Sequence, residues 1–124
     1  MTESEFKGRT REFGLRVIRL VTSLPKGRVE DVIGKQLLRS ATSVGANYRS
    51  ACRARSRADM ASKLAIVEEE ADESVYWLEL LVDTEVITRR RVSELIEEGN
   101  ALVAMTVASR LTLRDEQRNR KPKI

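Results

Sequence analysis

The chain has 124 residues, 41% of them hydrophobic and 34% charged, with five aromatics. This length and composition fit one domain with a modest, mainly aliphatic core. A formal net charge of +4 gives a mild bias toward acidic partners such as nucleic acid, the single Cys52 excludes an internal disulfide, and no apolar run approaches the ~20 residues needed to span a bilayer.

The opening MTESEFKGR is too charged for a signal-peptide core, so a cytoplasmic protein is expected. Thr2 and Glu5 have the spacing of a capping box, which places a helix start there. Phe6, Thr10, Phe13, Val17, Leu20, Val21 and Leu24 then recur every three or four residues, predicting a first helix over about 4–24. Pro25 and Gly27 end it. Glu30 and Asp31 suit the first turn of a second helix, about 30–52, because carboxylates favour the positive end of the helix dipole.

This second helix carries two stripes. One is apolar: Ile33, Leu37, Ala41, Val44, Tyr48 and Ala51. The other is small and polar: Gln36, Ser40, Ser43 and Asn47. Its few charges, Lys35, Arg39 and Arg49, share one narrow sector, so little of its surface is made for water. Such a helix is either the centre of a monomeric core or part of a subunit interface. The interface is favoured, because a chain this short has too few helices to surround one of its own. Gly34 and Gly45 each cost about 1 kcal/mol of helix propensity relative to alanine and predict close backbone approach there.

Ser56 and Asp59 repeat the capping pattern before a third helix over 57–83, with a main stripe of Met60, Leu64, Val67, Ala71, Val75, Leu78 and Val82. Ile66, Trp77 and Leu80 lie around its other side, beside Glu69, Glu70 and Glu73. A fourth helix follows over about 89–113, with Val92, Leu95, Ile96, Leu102, Val103 and Thr106 on one side. Residues 114–124 lack apolar periodicity and include Pro122, so a disordered basic tail is expected.

Four such helices joined by short turns predict an all-α, up-down-up-down antiparallel bundle occupying residues 1–113. The topology brings the N-terminus, the turn between the second and third helices and the C-terminus to one pole. The segments 2–11, 49–63 and 110–123 together carry +9, leaving −5 for the remainder. The candidate phosphate contacts at this pole are Arg49, Arg53, Arg55, Arg57 and Lys63. A solvated charge run is the equally weighted alternative, since aromatics for base stacking are absent nearby except Tyr48.

The order of elements resembles a known family. The LP turn is followed by Gln36-Leu37, Arg39-Ser40, Ser43-Val44 and Asn47, then by the basic turn and a Glu-rich third helix ending Tyr76-Trp77-Leu78-Glu79-Leu80-Leu81. This is similar to the bacterial four-helix-bundle proteins called 23S rRNA intervening-sequence, or S23, proteins, over about residues 6–112. The resemblance implies a homopentameric ring and kinship with accessory proteins of diversity-generating retroelements, which bind a reverse transcriptase and nucleic acid. It implies no activity.

Catalytic chemistry finds no support in the sequence. There is no histidine, Cys52 has no imidazole partner and no glycine-rich phosphate loop occurs. Glu69 and Glu73 are one turn apart, but the Glu-x-x-His pairs of bundle metal sites cannot form, so neither metal nor cofactor is expected. Antiparallel geometry sets Arg39 opposite Glu70 and Glu73, for an ion pair within or between subunits. The expected subunit interface thus comprises Gln36, Arg39, Ser40, Ser43, Asn47, Glu70, Glu73 and Trp77. Two functions stay open: a ring binding RNA or DNA through phosphates, without reading sequence, and a protein-interaction scaffold docking its partner on Tyr76 and Trp77.

Overall fold

The computed structural model describes residues 1–119 and contains four helices: α1 (Glu3–Thr22), α2 (Arg28–Cys52), α3 (Arg57–Asp83) and α4 (Arg89–Asn119). Thr2 caps α1 by accepting the Glu5 amide at 3.1 Å, and Ser56 caps α3 by accepting the Asp59 amide at 3.0 Å. Both hydroxyls satisfy an amide that the first helical turn leaves without a partner. After α3, Glu85 adopts a left-handed conformation with φ of 62°, and the Val86 amide reaches back to the Leu81 carbonyl. This wraps the chain tightly enough for α4 to begin at Arg89.

Consecutive helices pack side by side, and α4 closes the bundle against α1. Their antiparallel directions follow from the paired residues. Ser40 of α2 meets Ser74 of α3, Arg110 of α4 meets Glu68 of α3, and Arg9 of α1 meets Glu98 of α4. The core is built largely from the stripes read from the sequence, with Phe13, Val17, Leu37, Val44, Leu64, Val67, Leu78 and Leu102 almost fully buried. Each such side chain contributes roughly 1.5–3 kcal/mol of transfer free energy. At the end of α3, however, the buried residue is Leu81 and not the expected Val82, which is only partly buried.

Of the two glycines expected to mark close backbone approach, one does so. A Cβ on Gly45 would lie 3.4 Å from the Thr10 carbonyl oxygen, so the α1 and α2 backbones meet there. Gly34 differs from the expectation, because it faces the side chains of Val21 and Leu24 rather than a backbone.

The fourth helix corrects the expected boundary at 113. It continues to Asn119, with Leu113 buried and Arg57 bonded to Glu116 at 2.7 Å, so residues 114–119 are helical and not a disordered tail. Residues 120–124, the rest of that expected tail, lie outside the described residues. α1 ends at Thr22, two residues early, where Ser23 caps it, and α2 begins two residues early at Arg28.

Candidate nucleic-acid interface

The expected convergence at one pole is present. Met1, Cys52, Arg57, Leu113 and Glu116 line one cavity of about 800 Å³. Behind it, Phe6 and Tyr48 stack with ring centroids 4.2 Å apart. Burial pushes the Tyr48 phenol well above its ordinary range, and the neighbouring Cys52 adds to this. Burial, helped by Glu3, likewise raises the Cys52 thiol, so it stays protonated and weakly nucleophilic near neutral pH.

Ion pairing sorts the basic residues into two groups. Arg9 forms a fork with Glu98 at 3.0 and 2.5 Å, and that hydrogen bond holds its guanidinium above the ordinary value. Arg110 is held by Glu68, Arg57 by Glu116 and Arg39 by Glu70 and Glu73. These arginines tie helix to helix. By contrast, Arg11, Arg49, Arg53, Arg55 and Lys63 have no ion-pair partner among the described residues. Arg49, Arg53, Arg55 and Lys63 line one concavity of about 740 Å³, with Asp59 as its lone acid. Four of the five basic candidates are therefore brought together without neutralisation, while Arg57 is turned toward α4.

The basic surface extends beyond the turn. Arg49 and Arg53 also border a groove of about 520 Å³ between α1 and α2, whose other bank carries Lys7 and Arg11. Gly14, Ala41 and Gly45 keep this groove open, and Leu15 and Ile18 stand at its far end. Lys7 and Arg11 were not among the sequence candidates. Their signal was the spacing Lys7, Arg11, Gly14, Ile18, which places two cations and an apolar residue on one stripe of α1.

The expected interface residues divide as well. Ser40 is a correction: it is 0% exposed, and its hydroxyl lies 3.0 Å from that of Ser74 within the same chain, out of reach of another subunit. Arg39, Glu70 and Glu73 satisfy one another inside the chain. Asn47 donates to the Ser43 carbonyl at 2.9 Å, one turn away, and Gln36 is exposed. Trp77 is half-buried, packs edge-on to Tyr76, and has an indole N–H that is buried without an acceptor.

Among the described residues no three His, Cys, Asp or Glu side chains are arranged to hold a metal ion, and no helix is long and apolar enough to cross a membrane. Fold and surface together define an all-α four-helix bundle with a concave cluster of unneutralised basic side chains at the α2–α3 turn. The family model described as 23S rRNA-intervening sequence protein matches residues 2–108. A crystal structure of a protein of unknown function from the S23 ribosomal protein family of Bacteroides thetaiotaomicron is 39% identical. It superposes with a TM-score of 0.83, over 89% of this chain and 98% of that one. The chain therefore belongs to the 23S rRNA-intervening sequence protein (S23) family. No curated protein matches it.

Proposed function

We propose that this protein is a non-enzymatic, homo-oligomeric nucleic-acid-binding protein, a pentameric ring by its resemblance to ring-forming relatives, working in the cytoplasm. It holds RNA or DNA by the phosphates and does not read sequence. One observation carries the reading: Arg49, Arg53, Arg55 and Lys63 share a concavity without ion-pair partners, whereas five other arginines (Arg9, Arg16, Arg39, Arg57 and Arg110) pair with glutamates on neighbouring helices. Unpaired guanidinium and ammonium groups are available to displace counterions from phosphates, and repetition around a ring multiplies that effect.

The test is fluorescence anisotropy with an unstructured RNA and a duplex DNA. Replacing Arg49, Arg53 and Arg55 together with Gln should weaken binding to both at least about tenfold. Arg57→Gln, which removes a cation already neutralised by Glu116, should change it less than about threefold. Equal affinities for wild type and triple variant would reject the site.

A scaffold without nucleic-acid contact, docking a protein such as a reverse transcriptase, is the second reading. The exposed Tyr76, edge-on to the half-buried Trp77, favours it, because surface aromatic side chains anchor many protein contacts. Capture of one protein partner that persists in high salt, with no RNA or DNA bound, would select this reading.

A further inference from the structure

The α1–α2 groove and the outer face of α3 are complementary surfaces of one chain. The groove is lined by Lys7, Arg11, Arg49 and Arg53 and by no acidic residue, although Lys7 lies 3.8 Å from Glu3 one turn away on α1, and its apolar end is marked by Ile18, 40% exposed. On α3, Glu69, Asp72, Tyr76, Glu79 and Asp83 are all exposed and recur at alternating steps of three and four residues, which stacks them into one straight ridge. None of these four carboxylates has an ion-pair partner among the described residues, although Glu68, Glu70 and Glu73 beside them do. Tyr76, 53% exposed, stands in the middle of the ridge as its one large apolar side chain.

The lengths agree too. Lys7 to Ile18 spans ~16 Å of helix and Glu69 to Asp83 ~21 Å. Small residues on the groove floor, Gly14, Ala41 and Gly45, let a further helix approach closely. We propose that the occupant of the α1–α2 groove is the acidic α3 ridge of a second copy of this chain, with Tyr76 packed toward Leu15 and Ile18 and the carboxylates to one side of it meeting Lys7 and Arg11 on the α1 bank, so that the concavity of Arg49, Arg53, Arg55 and Lys63 stays open. This rests on the homo-oligomeric part of the reading above and moves the main subunit contact away from the α2–α3 polar stripe.

Groove and ridge are different surfaces, so the contact is heterologous. Each copy offers a free groove at one side and a free ridge at the other, and the contacts repeat until the ring closes. Like-signed copies of either surface repel, which sets a single head-to-tail order.

Light scattering on a sizing column tests the pairing by charge reversal. Lys7→Glu with Arg11→Glu should weaken self-association at least about tenfold, and Asp72→Lys with Glu79→Lys should do the same. The four substitutions in one chain should restore the wild-type mass, since reversed charges on the ridge then face reversed charges on the α1 bank of the groove. All four positions are exposed, and helicity by circular dichroism identifies any variant that fails to fold; Ile18→Asp then serves as an independent disruption of the groove. An oligomer insensitive to either reversal overturns this interface but leaves the homo-oligomer standing. A lower mass in both single-face variants without rescue in the combined one overturns the mutual pairing. A wild-type monomer at micromolar concentration overturns both the interface and the homo-oligomer.

Discussion

Gly99 and Gly8 are both helical glycines, yet the same substitution should have opposite signs at the two. A Cβ on Gly99 would lie 2.6 Å from Cγ2 of Val75, a β-branched side chain that is 5% exposed and has little room to turn. Overpacking of this kind outweighs the helix propensity gained, so Gly99→Ala should lower stability by about 1–2 kcal/mol in urea unfolding. At Gly8 nothing lies within 4 Å of the added carbon, and Gly8→Ala should raise stability by up to about 1 kcal/mol. The Tyr48–Cys52 corner gives a pH prediction. Both groups are raised in the folded protein, so the neutral form is favoured there. Their contribution is full below the ordinary values of 9.0 for the thiol and 10.0 for the phenol, and is lost as pH climbs above them toward the folded values. Tyr48→Phe keeps an aromatic ring against Phe6. Its unfolding midpoint should therefore fall less than that of wild type between about pH 7 and about pH 10.5. Parallel declines would contradict the assignment.

At the scale of the helices, apolar spacing made α1, α2 and α3 legible, because buried side chains on one face must recur every three or four residues. The third helix matches its expected bounds at both ends, where Ser56 gives a capping signal and Thr84 ends the periodic run. The end of α4 was illegible for a physical reason. Beyond Leu113 the helix has no apolar stripe to reveal it, and long-range partners contributed by α3, such as Arg57 for Glu116, have no local signature. Leu113→Ala should test that extension. Leu113 is 7% exposed, and truncating it near a helix end should cost about 2 kcal/mol, at the low end for buried leucines. Amide hydrogen exchange of residues 110–119 should accelerate in the variant. Unchanged exchange would mean that this turn of α4 is held by something other than the core. The candidate site was legible in part for a related reason: a sequence shows where cations cluster but not which carboxylates fold against them. Arg57 and Arg53 look alike in the sequence, and only the packing of α4 on α3 separates them.

For the whole molecule, charge segregation follows from topology. Three chain segments rich in Lys and Arg are brought together by the up-down order, while the acidic stretches of α3 lie along its side. Interhelical glutamates neutralise part of this charge, and what is left at the α2–α3 turn is the concavity of Arg49, Arg53, Arg55 and Lys63. The central claim is that this residual charge engages phosphates. The most direct measurement is the slope of log K against log salt for an unstructured RNA, in wild type and in the Arg49, Arg53 and Arg55 triple Gln variant. Removing each phosphate-binding cation should reduce the steepness by ~0.7, so the triple variant should show a slope shallower by up to ~2 for each engaged subunit, with Arg57→Gln close to wild type. An identical slope in wild type and triple variant, or no RNA binding even at about 50 mM salt, would contradict it.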